Sequence, residues 1–263
     1  MRKKIIIFII IFIIIVFLSF IYFKYVGTKR LDVREYKVIS SNINDNYYGF
    51  KIVHFGDIFY GKNIDKKYLE MVVDKINLLK PDIVVFTGNL IDKSVIIDNV
   101  IKDDLVEVLS KINSNLGKYC ISGDEDNDEY ITIMRKANFI YFNNNYTYIY
   151  NSEKSLLISD MDSSEIENTN SIYNILLVHK PDKILSMDYS KYNLILGGHS
   201  LNGQIKLPFI GPLFKMDGAK TYYDNYYDLG NSKLYITGGI GTEKLNLRIN
   251  NRPSINIYRL TNK

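Results

Sequence analysis

A chain of 263 residues holds one large domain or two small ones, and its apolar content is enough for a sizeable core. The net charge of +4, from 33 basic and 29 acidic residues, is spread along the sequence and lacks the dense basic stripe of a nucleic-acid binder, so no nucleic-acid partner is expected. The single cysteine, Cys120, excludes an internal disulfide.

Residues 1–24 read as an N-terminal transmembrane anchor. Arg2, Lys3 and Lys4 precede an uncharged run of 19 residues, 5–23. At about 1.5 Å per residue the run crosses a hydrocarbon core of roughly 30 Å. No small-residue cleavage site follows it, so the segment is expected to stay attached as a signal anchor. The basic N-terminus favours an extracytoplasmic domain, whereas Lys24, Lys29, Arg30 and Arg34 on the other flank argue for the reverse. The reading adopted is a single-pass protein of the cell membrane with its domain outside.

Residues 25–36 are polar and mixed in charge, and read as a juxtamembrane linker; 37–263 read as one domain. In chain order the patterns predict a strand over 50–55, a helix over 65–79 and a buried strand over 82–87. They continue with a helix over 95–112, a strand over 118–122 and a helix over 128–136. Short strands within 141–160 follow, then strands over 174–179 and 193–196, and a strand-forming, glycine-rich stretch over 222–260. Cys120 falls inside an apolar strand and reads as an inert thiol; His54 reads as a core or edge histidine. In alternating α/β arrangements ligands bind beyond the carboxyl ends of strands. Those ends carry Asp57, Asn89, Asp124, Glu125, His179 and His199.

The strand-end motifs are Asp57-Ile58-Phe59, Gly88-Asn89-Leu90-Ile91-Asp92, Gly123-Asp124-Glu125-Asp126, an isolated His179, and Gly198-His199-Ser200-Leu201. Lys80-Pro81-Asp82, Gly117-Lys118-Tyr119 and the stretches 203–214 and 235–242 accompany them. In order and extent the sequence resembles the calcineurin-like metallophosphoesterase family, and within it the membrane-anchored bacterial branch. The resemblance implies an α/β fold, a two-sheet β-sandwich flanked by helices, here preceded by one transmembrane helix. It also implies a chemistry in which two divalent metals clamp a phosphate ester and activate a water.

The family pattern is D-x-H, G-D-x-x-D, G-N-H-D/E, a lone histidine and G-H-x-H, and this chain departs from it at defined places. Phe59 replaces a histidine, Asn89 the metal-bridging aspartate, Asp124 the asparagine, Glu125 the acid–base histidine and Leu201 the last histidine. The resemblance assigns one ion to the positions of Asp57, Phe59, Asn89 and Leu201. Of these, Asp57 alone remains a strong ligand, a remnant of that site, and a neutral amide is a poor bridge between two cations. The other ion falls to Asn89, Asp124, His179 and His199. There aspartate and asparagine have exchanged places, keeping a zinc- or manganese-type donor set. Two readings stand together: a site for one divalent metal, or a metal-free relic in which the histidines bond to loops and the acidic run 124–129 is solvated. A two-metal centre is not expected. Asp92 reads as loop support.

Losing one metal removes several kcal/mol of transition-state stabilisation. Losing the acid–base histidine costs about 10²–10⁴ in rate. Glu125, ionised, is repelled by a phosphate dianion. The expected function is therefore a membrane-anchored phosphoesterase-domain protein with lost or strongly reduced activity. It would be retained as a binding or structural module; a further reading, which needs no catalysis, is binding of an anionic ligand such as a phosphate-bearing wall polymer or lipid headgroup. The alternative is an active single-metal hydrolase of phosphate mono- or diesters.

Overall fold

Helix α1 (Arg2–Tyr25) follows from an uninterrupted apolar run with nothing to terminate it. None of its residues is buried against the rest of the chain, and its 24 residues extend for about 36 Å, long and apolar enough to cross a membrane. The computed structural model describes residues 2–151, 153–166 and 170–262; Met1 and Lys263, the outer limits of the expected anchor and domain, lie outside them.

Beyond α1 the chain forms β1 (Asp32–Ile39), β2 (Lys51–Phe55), α2 (Lys66–Leu78), β3 (Ile83–Phe86), α3 (Asn99–Ser110) and β4 (Lys118–Cys120). Next come α4 (Asp128–Lys136), β5 (Ile140–Tyr141), β6 (Tyr146–Tyr150), β7 (Ser155–Ser159), β8 (Tyr173–Val178) and β9 (Leu194–Gly197). A short hairpin, β10 (Lys206–Leu207) and β11 (Gly211–Pro212), precedes β12 (Tyr226–Asp228), β13 (Lys233–Ile236) and β14 (Ser254–Thr261). One six-stranded sheet runs β1-β14-β2-β3-β4-β5 and the other β12-β13-β9-β8-β7-β6. This is the mixed α/β two-sheet architecture expected.

Period-two alternation decides which side chain meets which layer. Ile52, Ile83 and Val85 of the first sheet face Ile175, Leu177, Leu194 and Leu196 of the second, forming the inter-sheet core. Their neighbours Val53, Phe55, Val84 and Phe86 point the other way, onto Leu69, Val72 and Ile76 of α2, Leu105 and Val108 of α3, and Tyr130 and Ile133 of α4. Among the described residues, α-helices cover only this outer face. The outer face of the second sheet, with Leu176, Ile195, Leu234 and Ile236, packs against Ile184 and Tyr192 from 3-10 and loop segments.

Capping sets the helix starts. The Asp65 side chain accepts the Tyr68 N–H and opens α2, and Asn127 accepts N–H bonds from Glu129 and Tyr130 and opens α4. Helix α3 begins at Asn99, not at 95, because Asp98 accepts the Ile101 N–H. A cap of this kind contributes about 1 kcal/mol and outweighs the helical spacing of Val95 and Ile97. The expected linker 25–36 is also shorter: β1 begins at Asp32 and pairs in parallel with β14, Asp32 opposite Ser254. Cys120 is buried and its thiol is pushed up to about 12 by that burial, an inert core thiol as expected.

Candidate metal centre

The parallel strands β2, β3 and β4 of one sheet and β8 and β9 of the other deliver their C-terminal loops to a common edge. Among the residues on these loops with left-handed backbones are Asp57 (φ 51°), Phe59 (φ 50°), Asn89 (φ 59°), His199 (φ 62°) and Leu201 (φ 49°). Each costs roughly 1–3 kcal/mol for a residue other than glycine, so the surroundings must enforce it. Asp126 is one enforcer: its carboxylate accepts N–H bonds from Asn89 (2.7 Å), Leu90 (2.9 Å) and Gly123 (2.7 Å), tying two loops together. Gly123 is another, since a Cβ there would stand 2.2 Å from Asn89 Oδ1.

His179 donates from Nδ1 to the Thr87 carbonyl at 2.6 Å, which leaves Nε2 as the free lone pair, 3.0 Å from Asp124 Oδ1. His199 donates from Nε2 to the Asp217 carbonyl at 2.8 Å, so its Nδ1 is the free atom, 3.5 Å from the same Asp124 oxygen. That Nδ1 is buried without a hydrogen-bond partner. Backbone carbonyls that fix the far nitrogen are how metal-binding histidines are oriented. The ligand atoms of Asp124, His179 and His199 all lie within 4.8 Å of one another. The His179 and His199 side chains and Lys180 Nζ, 3.0 Å from Asp124 Oδ2, hold the Asp124 carboxyl well below the usual carboxylate range. Burial opposes charge on His199, and Asp124 and Asp57 overcome it, raising its pKa. The orphaned Nδ1, the aimed Nε2 and the anionic Asp124 fit one divalent cation.

Asn89 sits beside these three but is turned the wrong way to join them. Its Oδ1 accepts the Glu125 N–H at 3.1 Å, so Nδ2 faces Asp57 Oδ1 (3.1 Å), His179 Nε2 (3.2 Å) and Asp124 Oδ1 (3.3 Å). A donor thus stands at the position expected to accept. Asp57, fully buried, spends its other oxygen on the His199 N–H at 2.8 Å, and burial raises its pKa.

Phe59 and Leu201 are both buried and pack with Met216 and Ala219 into one apolar cluster, with Phe214 against it. This set has no donor for a cation and does not fit a second metal. Glu125, the residue at the acid–base position, is drawn aside: Oε1 pairs with Lys93 Nζ at 2.9 Å and Oε2 accepts the Lys93 N–H at 3.2 Å. Asp92 accepts from Ser94 and pairs with Lys62, as loop support would require. His54 lies between the sheets, bonded to Tyr258 Oη (3.1 Å) and Thr87 Oγ1 (3.0 Å), with its pKa lowered to about 3 by burial.

A cavity of about 340 Å³ opens on Asp124 and His179, with Lys180 and Lys183 in its wall. Sequence reasoning missed Lys180, although a cation directly after the isolated histidine was a readable signal. It also missed Asp126, taken only as part of a solvated run. Thr87 and Asp217 act through carbonyls and carry no signal at all.

Residues 50–236 match the sequence profile of calcineurin-like phosphoesterases. The chain is 31% identical over 255 residues to a Bacillus subtilis protein named uncharacterized metallophosphoesterase YkuE, covering 91% of this chain and 88% of that one. It is 23% identical to the phosphodiesterase YaeI of Escherichia coli, covering 82% and 84%. Among solved structures, TT1561 of Thermus thermophilus superposes with a TM-score of 0.45 at 12% identity, over 73% of this chain and 90% of the other.

Proposed function

We propose a function on one premise, that the chain belongs to the calcineurin-like phosphoesterase family. The domain holds one divalent cation, of zinc or manganese type, on Asp124, His179 and His199. Phosphoester hydrolysis is lost or strongly reduced, and the domain serves as a phosphate-binding module. Helix α1 anchors it as a single-pass protein of the cell membrane, with the domain on the extracytoplasmic side. The observation that carries this reading is the apolar cluster of Phe59, Leu201, Met216 and Ala219, standing where the resemblance puts the ligands of a second ion.

A bound cation would supply Lewis-acid polarisation of a phosphoryl oxygen. The chain's own groups do the rest. The Thr87 and Asp217 carbonyls hold the histidine rings in register, and Asp124 supplies the negative charge. Lys180 and Lys183 line the adjoining cavity with positive charge that suits a phosphate group. Glu125, at the acid–base position, is engaged by Lys93 and is not poised to protonate a leaving group. Asn89 is a site residue in a different sense from the one expected: in its present rotamer it orients Asp57, Asp124 and His179 as a donor.

The test is metal content of the full-length protein in detergent, compared with His199→Ala. About one equivalent in the parent and none in the variant is expected; equal content in both overturns the reading. A second reading, an active one-metal phosphoesterase, is favoured by the aimed lone pairs and the lysine-lined cavity. Manganese-supported hydrolysis of an aryl phosphodiester that disappears in His179→Ala would establish it and overturn the binding-module reading.

A further inference from the structure

A second cavity, of about 370 Å³, lies far in sequence from the metal ligands, where α1 meets the domain. Its wall includes Tyr22 from the last turn of α1, Arg30 just beyond it, Arg34 of β1, and Arg248 and Arg252 from the loop before β14. One carboxylate, Asp32, accompanies these four arginines, and it is paired to Arg252 at 3.3 Å.

The arginines are short of anions. Arg34 hydrogen-bonds neutral oxygens, Asn202 Oδ1 (2.9 Å), Asn225 Oδ1 (3.4 Å), Asn251 Oδ1 (3.3 Å) and the Arg252 carbonyl (3.3 Å), and the Asp224 carboxylate acts on it without an ion pair. Arg30 makes no ion pair among the described residues. Arg248 is 1% exposed and bonds only to the Gly239 and Gly241 carbonyls, and its Nη1 is buried with no partner. Burial draws its pKa down to about 9, so it remains cationic at neutral pH; buried Asp57 acts on it from nearby but forms no ion pair with it. A buried, unpaired guanidinium is costly, and a phosphate, which takes guanidinium donors two at a time, relieves that cost.

The position selects the source of the phosphate. The uncharged run of α1 ends at Phe23, so the cavity begins where the hydrocarbon would stop. The junction is also packed. The Arg248 N–H bonds to the Phe23 carbonyl, Lys29 Nζ to the Asn63 carbonyl and Tyr68 Oη to the Lys29 carbonyl at 3.0 Å. A Cβ on Gly27 would stand 2.8 Å from both the Phe23 and the Arg248 carbonyl oxygens, so glycine is required for this approach. The arginines are therefore fixed at headgroup depth, with the Tyr22 ring at the same level as in an interfacial aromatic belt.

We propose that this cavity binds the phosphate headgroup of an anionic phospholipid from the leaflet in which α1 ends. The inference rests on the membrane reading of α1 and is independent of the metal reading. Lipid occupancy would make the helix–domain junction a composite of protein and lipid, with the phosphate neutralising Arg30, Arg34 and Arg248 together.

The experiment is native mass spectrometry of the full-length protein in detergent, with equal phosphatidylglycerol and phosphatidylcholine of matched chains. The parent is expected to retain one phosphatidylglycerol in preference to phosphatidylcholine. The pair Arg30→Gln with Arg252→Gln is expected to weaken that preference about 30-fold, from the usual contribution of a basic residue at a charged bilayer. Arg30→Gln alone, which breaks no ion pair, weakens it about fivefold and serves if the double variant does not fold. The pair Lys3→Gln with Lys4→Gln removes equal charge from the opposite end of α1 and leaves the preference unchanged. An unchanged preference in the arginine variants, or equal loss in the lysine pair, overturns the proposal. So does full displacement of the lipid by millimolar glycerol phosphate, which would make the ligand a soluble phosphate. Recovery of the chain in the membrane fraction tests the anchor separately, and metal content of the same samples tests the metal centre.

Discussion

Asp57, Phe59 and Leu201 on one side, and Asp124, His179 and His199 on the other, stand at the ends of strands that converge on one edge of the sandwich, yet their packing differs in kind. Around His179 and His199, backbone carbonyls orient the rings and turn the other ring nitrogen towards Asp124, that of His199 without a hydrogen-bond partner. Around Phe59 and Leu201, methyl groups and rings pack into a buried apolar cluster. Both groups include left-handed residues, His199 on one side and Asp57, Phe59 and Leu201 on the other. The apolar side thus combines left-handed backbones with side chains that offer a cation no donor at Phe59 and Leu201. A conformation costing roughly 1–3 kcal/mol per residue persists there because neighbouring loops enforce it from outside.

The largest effect would come from erasing the difference. Phe59→His, Asn89→Asp, Glu125→His and Leu201→His together place the family's residue types at these positions. We expect bound metal to rise from one to two per chain and aryl phosphodiester turnover to rise about 10²–10⁴-fold. Unchanged metal and turnover would show that the loops have lost more than side chains. His199→Ala, by contrast, is expected to empty the polar half and lower metal affinity at least 100-fold, while Phe59→Ala leaves metal content unchanged; elemental analysis reads both. Leu201→Ala is expected to destabilise the fold by about 2–5 kcal/mol without metal loss, read as a lowered unfolding midpoint. If Leu201→Ala instead changes metal content, the two halves are coupled.

The smallest effect concerns His54, between the sheets behind both halves. With its pKa lowered to about 3, the folded protein keeps it neutral while the unfolded chain takes up a proton below about pH 6.5. Its contribution to stability is whole above that pH and falls as pH drops towards 3. Between pH 7 and pH 5 the loss is about 2 kcal/mol. Unfolding midpoints of the parent and His54→Gln at the two pH values measure it; identical pH dependence in both removes His54 as the cause.

Histidines and carboxylates at strand ends were legible because their chemistry is rare there and their order in the chain is specific. What hid from the sequence was orientation. Asn89 offers an oxygen or a nitrogen, and only the Glu125 N–H decides which one faces the cluster. Met216 and Ala219 carry no ligand chemistry, so nothing in a pattern of ligands could mark them as the packing partners of Phe59 and Leu201. The start of β1 was read as linker because Asp32, Arg34 and Glu35 are charged. They lie on an edge strand, where charge guards against further pairing. Val95 and Ile97 carried a helical period that the Asp98 cap overrode.

The close fit of Gly27 between two carbonyls has a mechanical consequence for a chain held by α1. Residues 26–31, if slack, would span up to about 20 Å and let the domain swing through a wide cone. Docked as they are, they act as a bracket. In the proposed anchored arrangement the lysine-lined cavity would be carried at one height and one tilt over the bilayer, facing a thin layer above the surface. Lengthening this segment would widen the volume searched while leaving every residue of the metal centre in place.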